Sequence, residues 1–172
     1  MFSMPRAVKP FEQNSAGILA FVWIVGLLLG GIASVASVDF LQNSLIEILV
    51  GRNTLRLSFF LVLLPFLLSA FAVCVSAPRL LIVICAVKAF IFAFCGFGIC
   101  LIYQRCSWLV LPLCMFSDIF SAPVLYLYWL RCLYTRTSVP LGANVCFALL
   151  LLVICGIDLW LISPFTEYVF SF

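Results

Sequence analysis

The sequence predicts an all-α polytopic bundle of about five transmembrane helices, with one amphipathic helix lying at the membrane interface between the first two. Three observations carry this. Of the 172 residues, 67% are hydrophobic and 9% charged, too little polar surface to clothe a water-soluble globule. The apolar residues gather into runs close to the roughly 20 residues that a helix needs to cross hydrocarbon. Short polar patches separate those runs, so the spans use up the chain and leave no room for a sizeable aqueous domain.

Residues 1–16 read as a short N-terminal tail, polar enough for water or headgroups, in which Pro5 and Pro10 discourage a continuous helix. Arg6 and Lys9 before an apolar run imitate a secretory signal. The run is long enough to span and no small-x-small processing site follows it, so it is read as an uncleaved first helix. The remainder, 17–172, forms one membrane domain. Its first span, Gly17 to about Val38, carries Gly26 and Gly30 on one helical face, where a second helix can approach closely.

From Asp39 to Arg56 polar residues interleave with large aliphatics at helical spacing, and Gly51 is a natural stop. This connector is predicted to lie on the membrane as an amphipathic helix, with Ile46, Ile48 and Leu49 among its interfacial residues. The second span, Leu57 to about Ser76, has Pro65 near its middle, a site for a kink. Residues 76–79 make a tight turn.

The third and fourth spans, Leu81 to Tyr103 and Leu109 to Leu130, are separated by four polar residues and form a transmembrane hairpin. Gly96 offers another small contact surface in the third. Pro112 and Pro123 in the fourth remove backbone donors, which neighbours must compensate. Tyr126, Tyr128 and Trp129, followed by Arg131 and Arg136, mark an interface and a cytoplasmic end. The last span runs from about Asn144 to Ile162. With the N-terminus inside, six basic residues fall on the cytoplasmic side and three outside, which predicts an N-in, C-out protein of the cell membrane.

Each hairpin span holds one ionisable residue away from its ends, Lys88 and Asp118. An isolated charge in hydrocarbon costs at least roughly 2.5 to 3.5 kcal/mol, so both are expected to face protein. Lys88 is roughly 10 Å from the inner end of its helix, counted at 1.5 Å per residue. Asp118 falls near mid-membrane and Asp158 returns to a similar depth from the last span, so an ion pair of Lys88 with Asp118 is geometrically open. The alternative is that Lys88 snorkels inward, Asp158 reaches the outer surface, and Asp118 bonds to Ser117 or Ser121.

The nine basic residues are scattered, so no nucleic-acid footprint appears. Eight of nine cysteines lie in or beside apolar runs, where the thiol serves as a small hydrophobe; Cys106 is in a short loop. With no histidine and no CxxC pair, no metal site or cofactor is expected. HExxH and GxSxG motifs are absent and no base stands ready to activate a serine or cysteine, so an enzyme is not expected.

The segments VGLLLGG (Val25 to Gly31), VKAFIFAFCGFGICL (Val87 to Leu101) and GIDLWLISPF (Gly156 to Phe165) resemble, in order and character, the stage II sporulation protein M family of integral membrane proteins. Lys88, Ala89 and Phe90 stand where that family more often has glycine and phenylalanine, while Gly96 and Gly98 keep part of its small-residue pattern. The resemblance implies a non-enzymatic protein of forespore engulfment, a membrane scaffold for peptidoglycan-remodelling partners, with no catalytic residues to transfer.

The leading expectation is therefore a scaffold or assembly protein embedded in the bilayer. The alternative is a small transporter or permease subunit using Lys88, Asp118 and Asp158. A small-residue face serves packing within one chain or between copies equally well, so a homo-oligomer is open.

Overall fold

The computed structural model describes residues 10–39, 54–75, 77–104, 107–135, 140–162 and 164. Every element among them is helical: α1 (Pro10–Ala36), α2 (Thr54–Cys74), α3 (Pro78–Tyr103), α4 (Ser107–Cys114), α5 (Phe116–Thr135) and α6 (Leu141–Ile157), which continues into a π-helical turn, Asp158–Ile162. Three stretches are long and apolar enough to cross a membrane, Ala16–Ala36, Arg79–Ile102 and Leu141–Ile162, in keeping with a membrane location. Residues 40–53 of the predicted interfacial connector, with Ile46, Ile48 and Leu49, lie outside the described residues.

Two segments differ from expectation. α3 begins at Pro78, a proline in the first turn, where its missing N–H has no intrahelical partner to lose. The described part of α1 is already helical at Pro10, inside the stretch read as a tail. Between α2 and α3 the Ala77 amide reaches back to the Ala72 carbonyl at 2.9 Å, closing the short turn.

The predicted fourth span is divided at Met115 into α4 and α5. Pro112 leaves the Trp108 carbonyl without its usual amide, and the helix resets within a turn. Bonds from the Met115 amide to the Leu111 carbonyl (2.9 Å) and from the Ile119 amide to the Met115 carbonyl (2.8 Å) carry the chain through the break.

Contacts between named residues give the helix directions. Gly26 lies against Ala86 and Ala89, and Gly30 against Phe90 and Ala93, so α1 and α3 run parallel. Lys88 meets Asp118 and Gly96 faces Met115, so α4 and α5 return antiparallel to α3. Ser69 touches Trp129, and the Phe66 and Tyr128 rings meet tilted with centroids 5.0 Å apart, tying α2 to α5. Phe147 of α6 meets the Tyr128 ring at 5.2 Å, edge on. α2, α3 and α5 thus form the centre, with α1 laid on α3 and α6 on α2 and α5.

Polarity is inverted relative to a soluble protein. Ser34, Ser69, Lys88, Ser117, Asp118 and Ser121 are buried, while Phe21, Ile32, Leu67, Phe71, Leu127 and Trp160 are among many large apolar residues facing outward. An outer surface of this kind suits hydrocarbon, which has no hydrogen bonds to lose against it. The main core gathers around Tyr128 and Trp129, both fully buried, with Val62, Leu81, Leu125 and Leu151 about them.

Candidate functional site

The site begins with a missing hydrogen. Pro65, inside α2, has no amide proton, so the carbonyl four residues before it, that of Leu61, has no helical partner. In water a solvent molecule would take that place; in a dry interior another donor must. Lys88 of α3 supplies it: its Nζ donates to the Leu61 carbonyl at 2.9 Å. The same ammonium pairs with Asp118 Oδ1 of α5. One side chain thus joins three helices.

Both charges are sealed in, Lys88 at 2% exposure and Asp118 at 5%. An ammonium has three donors and no acceptor, so a carbonyl and a carboxylate suit it together. Asp118 lies in the first turn of α5, where the positive end of the helix dipole favours a carboxylate. The division of the fourth span at Met115 is what creates that helix start so deep in the bundle. Ser121 reaches back to the Asp118 backbone carbonyl at 3.4 Å, and Ser117 is buried beside it in sequence.

A second set of bonds flanks Pro65 on its other side. The Ser69 hydroxyl donates to the Pro65 carbonyl at 2.6 Å, and the buried Trp129 indole N–H donates to that hydroxyl at 2.7 Å. α5 therefore reaches the surroundings of Pro65 in α2 twice, through Asp118 by way of Lys88 and through Trp129 by way of Ser69.

Of the three predicted polar residues, Lys88 and Asp118 are brought into direct contact, so Lys88 does not snorkel. Asp158 is half-buried on the π-helical turn. The π-helical turn that carries it packs against α5, the helix of Asp118.

Gly26 and Gly30 lie where α1 and α3 touch backbone to backbone. A Cβ on Gly26 would stand 2.7 Å from that of Ala89 and 2.8 Å from the Ala86 carbonyl, and one on Gly30 would run into the Phe90 carbonyl. Gly96 faces α4, with the Met115 sulfur 3.3 Å from where its Cβ would be. On that side an apolar groove of about 620 Å³ opens between α1, α3 and the α4–α5 junction, lined by Leu28, Ile32, Ala93, Phe97 and Met115 among others.

Sequence reading missed the Leu61 carbonyl and Ser69, and it assigned Tyr128 and Trp129 to the membrane interface, whereas the structure buries both in the core, where Trp129 bonds Ser69. The available signal was Pro65 itself: a proline in the middle of a span identifies the carbonyl it orphans four residues earlier and asks for a donor. Among the described residues, no three His, Cys, Asp or Glu side chains are grouped to hold a metal ion. In comparisons with known proteins, the chain matches no family model, no curated protein and no solved structure.

Proposed function

We propose that this chain is a non-enzymatic integral membrane scaffold or assembly protein, crossing the bilayer five times with its N-terminus in the cytoplasm and its C-terminus outside. The observation that carries the reading is the sealed Lys88–Asp118 pair. Its charges are committed to each other and to the Leu61 carbonyl, as in a bundle built to hold its shape, and a transport path would need them in contact with water. The alternating helix directions support five crossings, with α2 and the α4–α5 unit supplying the two beyond the three long apolar stretches. The resemblance to the stage II sporulation protein M family extends the proposal to forespore engulfment, with peptidoglycan-remodelling membrane proteins as partners.

Co-purification from gently solubilised native membranes tests it, comparing the intact chain with a variant carrying Ile46→Ser, Ile48→Ser and Leu49→Ser. The scaffold reading expects a defined set of cell-wall or membrane proteins with the intact chain and its loss from the variant, with insertion unchanged. Recovery of the chain alone in both cases would overturn it.

A second reading is a small transporter or permease subunit. The observation favouring it is the π-helical turn that carries Asp158, since such turns often mark functional positions in helices. It expects Asp158→Asn to abolish flux in proteoliposomes while leaving the bundle folded. The scaffold reading expects Asp158→Asn to leave partner recovery per inserted molecule unchanged.

A further inference from the structure

A proline inside a helix removes a backbone bond and makes a site for a bend, which flexes unless something fixes the two halves. In α2 the groups bordering Pro65 are held from outside the helix on both sides: the Leu61 carbonyl by Lys88 of α3, and the Pro65 carbonyl through Ser69 by Trp129 of α5. Lys88 is in turn held by Asp118, also of α5. Followed around, these bonds make a closed circuit: Asp118, Lys88, Leu61, the kink, Ser69, Trp129, and back along α5 to Asp118. Asp118 and Trp129 are close to three helical turns apart and so lie on one face of α5. That is the geometry of a frame bolted across a joint at two points.

We propose that the Lys88–Asp118 pair is a latch on a hinge at Pro65: the ammonium stands in for the amide proton that proline lacks, and the carboxylate makes an ammonium tolerable at that depth. The role explains the residue types. A neutral apolar side chain at position 88 would leave the Leu61 carbonyl bare in a dry interior. A lysine without a carboxylate would leave a naked charge there. Only the two together serve the carbonyl and balance the charge. With the latch removed, the part of α2 before Pro65 loses its polar tie to α3, while the part after Pro65 stays held by the Ser69–Trp129 bond and the Phe66–Tyr128 contact.

The sharp consequence is that need for the pair depends on Pro65. Pro65→Ala restores the amide, which bonds the Leu61 carbonyl within α2 and makes the latch dispensable. The experiment compares the wild type, the charge-free double variant K88M/D118L, P65A, and the triple variant, each purified in lipid nanodiscs. Nitroxides are attached through an unnatural ketone amino acid at Leu64 of α2, before Pro65, and Val83 of α3, both outward-facing, so the native cysteines do not interfere. A second pair at Leu29 of α1 and Val83 reports on the rest of the bundle. The double variant is expected to broaden the Leu64-to-Val83 distance distribution and leave the Leu29-to-Val83 distribution unchanged, and adding P65A is expected to restore the wild-type width. Should the double variant aggregate, the readout becomes the recoverable monodisperse yield, which is expected to rise severalfold when P65A is added. An unchanged distribution in K88M/D118L, or no recovery of either readout on adding P65A, overturns the proposal.

Discussion

Trp129 donates its indole N–H to the Ser69 hydroxyl at 2.7 Å, and that hydroxyl donates onward to the Pro65 carbonyl at 2.6 Å. The indole is fully buried, so its polar edge depends on this one hydroxyl. Ser69→Ala leaves a buried N–H without a partner and is expected to destabilise the bundle by about 1–3 kcal/mol. Trp129→Phe removes the donor with it and keeps much of the ring packing on Trp23, so its hydrogen-bond cost is smaller, about 1 kcal/mol. Thermal unfolding in detergent, followed by intrinsic fluorescence, gives the order.

The ion pair makes a prediction of opposite form. Lys88→Met alone leaves a buried carboxylate unbalanced, and Asp118→Leu alone leaves a buried ammonium; each is expected to cost about 3–5 kcal/mol. K88M/D118L removes both charges and leaves only the Leu61 carbonyl unserved, about 1–3 kcal/mol. A double variant more stable than either single one, measured by pulse proteolysis or thermal midpoint, is the expected result. Additive losses would count against a direct pair.

The glycines divide by surroundings. At Gly30 an added Cβ meets the Phe90 carbonyl, so Gly30→Ala forces α1 off α3 and is expected to cost about 1–3 kcal/mol by overpacking. Gly142 and Gly156 have nothing within 4 Å of such an atom. Alanine at either is expected to be neutral or to stabilise by up to about 1 kcal/mol through helix propensity. The three variants compared side by side in one thermal assay check this.

The proposed topology assigns the loop holding Cys106 to the outer face. A membrane-impermeant maleimide applied to intact cells is expected to label a variant whose sole cysteine is Cys106. Labelling only after the cells are opened would reverse the orientation.

The helical class and the main apolar segments were legible in the sequence because hydrophobic runs of spanning length are hard to assign to anything else. Lys88 and Asp118 were legible as residues that must face protein, since hydrocarbon gives a lone charge nowhere to go. The third member of their site was not. α2 is apolar on all sides, so its sequence has no polar face to reveal which neighbour it turns toward, and the choice of Leu61 as Lys88's partner depends on how α2 and α3 meet. Pro112 was visible as a disturbance, but the reset falls at Met115, three residues on, where local bonding decides. Gly26 and Gly30 were visible as a spacing, while their partner, α3, is a choice of tertiary structure.

The pairing of α1 with α3 has a consequence for biosynthesis. Gly30 must wait for Phe90, about 60 residues later in the chain, which at typical rates of 5–20 residues per second is about 3–12 s of translation. During that interval the nascent first helix has its closest-fitting face uncovered, and the segment made next, α2, is not what covers it. Insertion of this protein therefore has a waiting step written into its helix order, and the membrane insertion machinery or surrounding lipid must shelter α1 until α3 arrives.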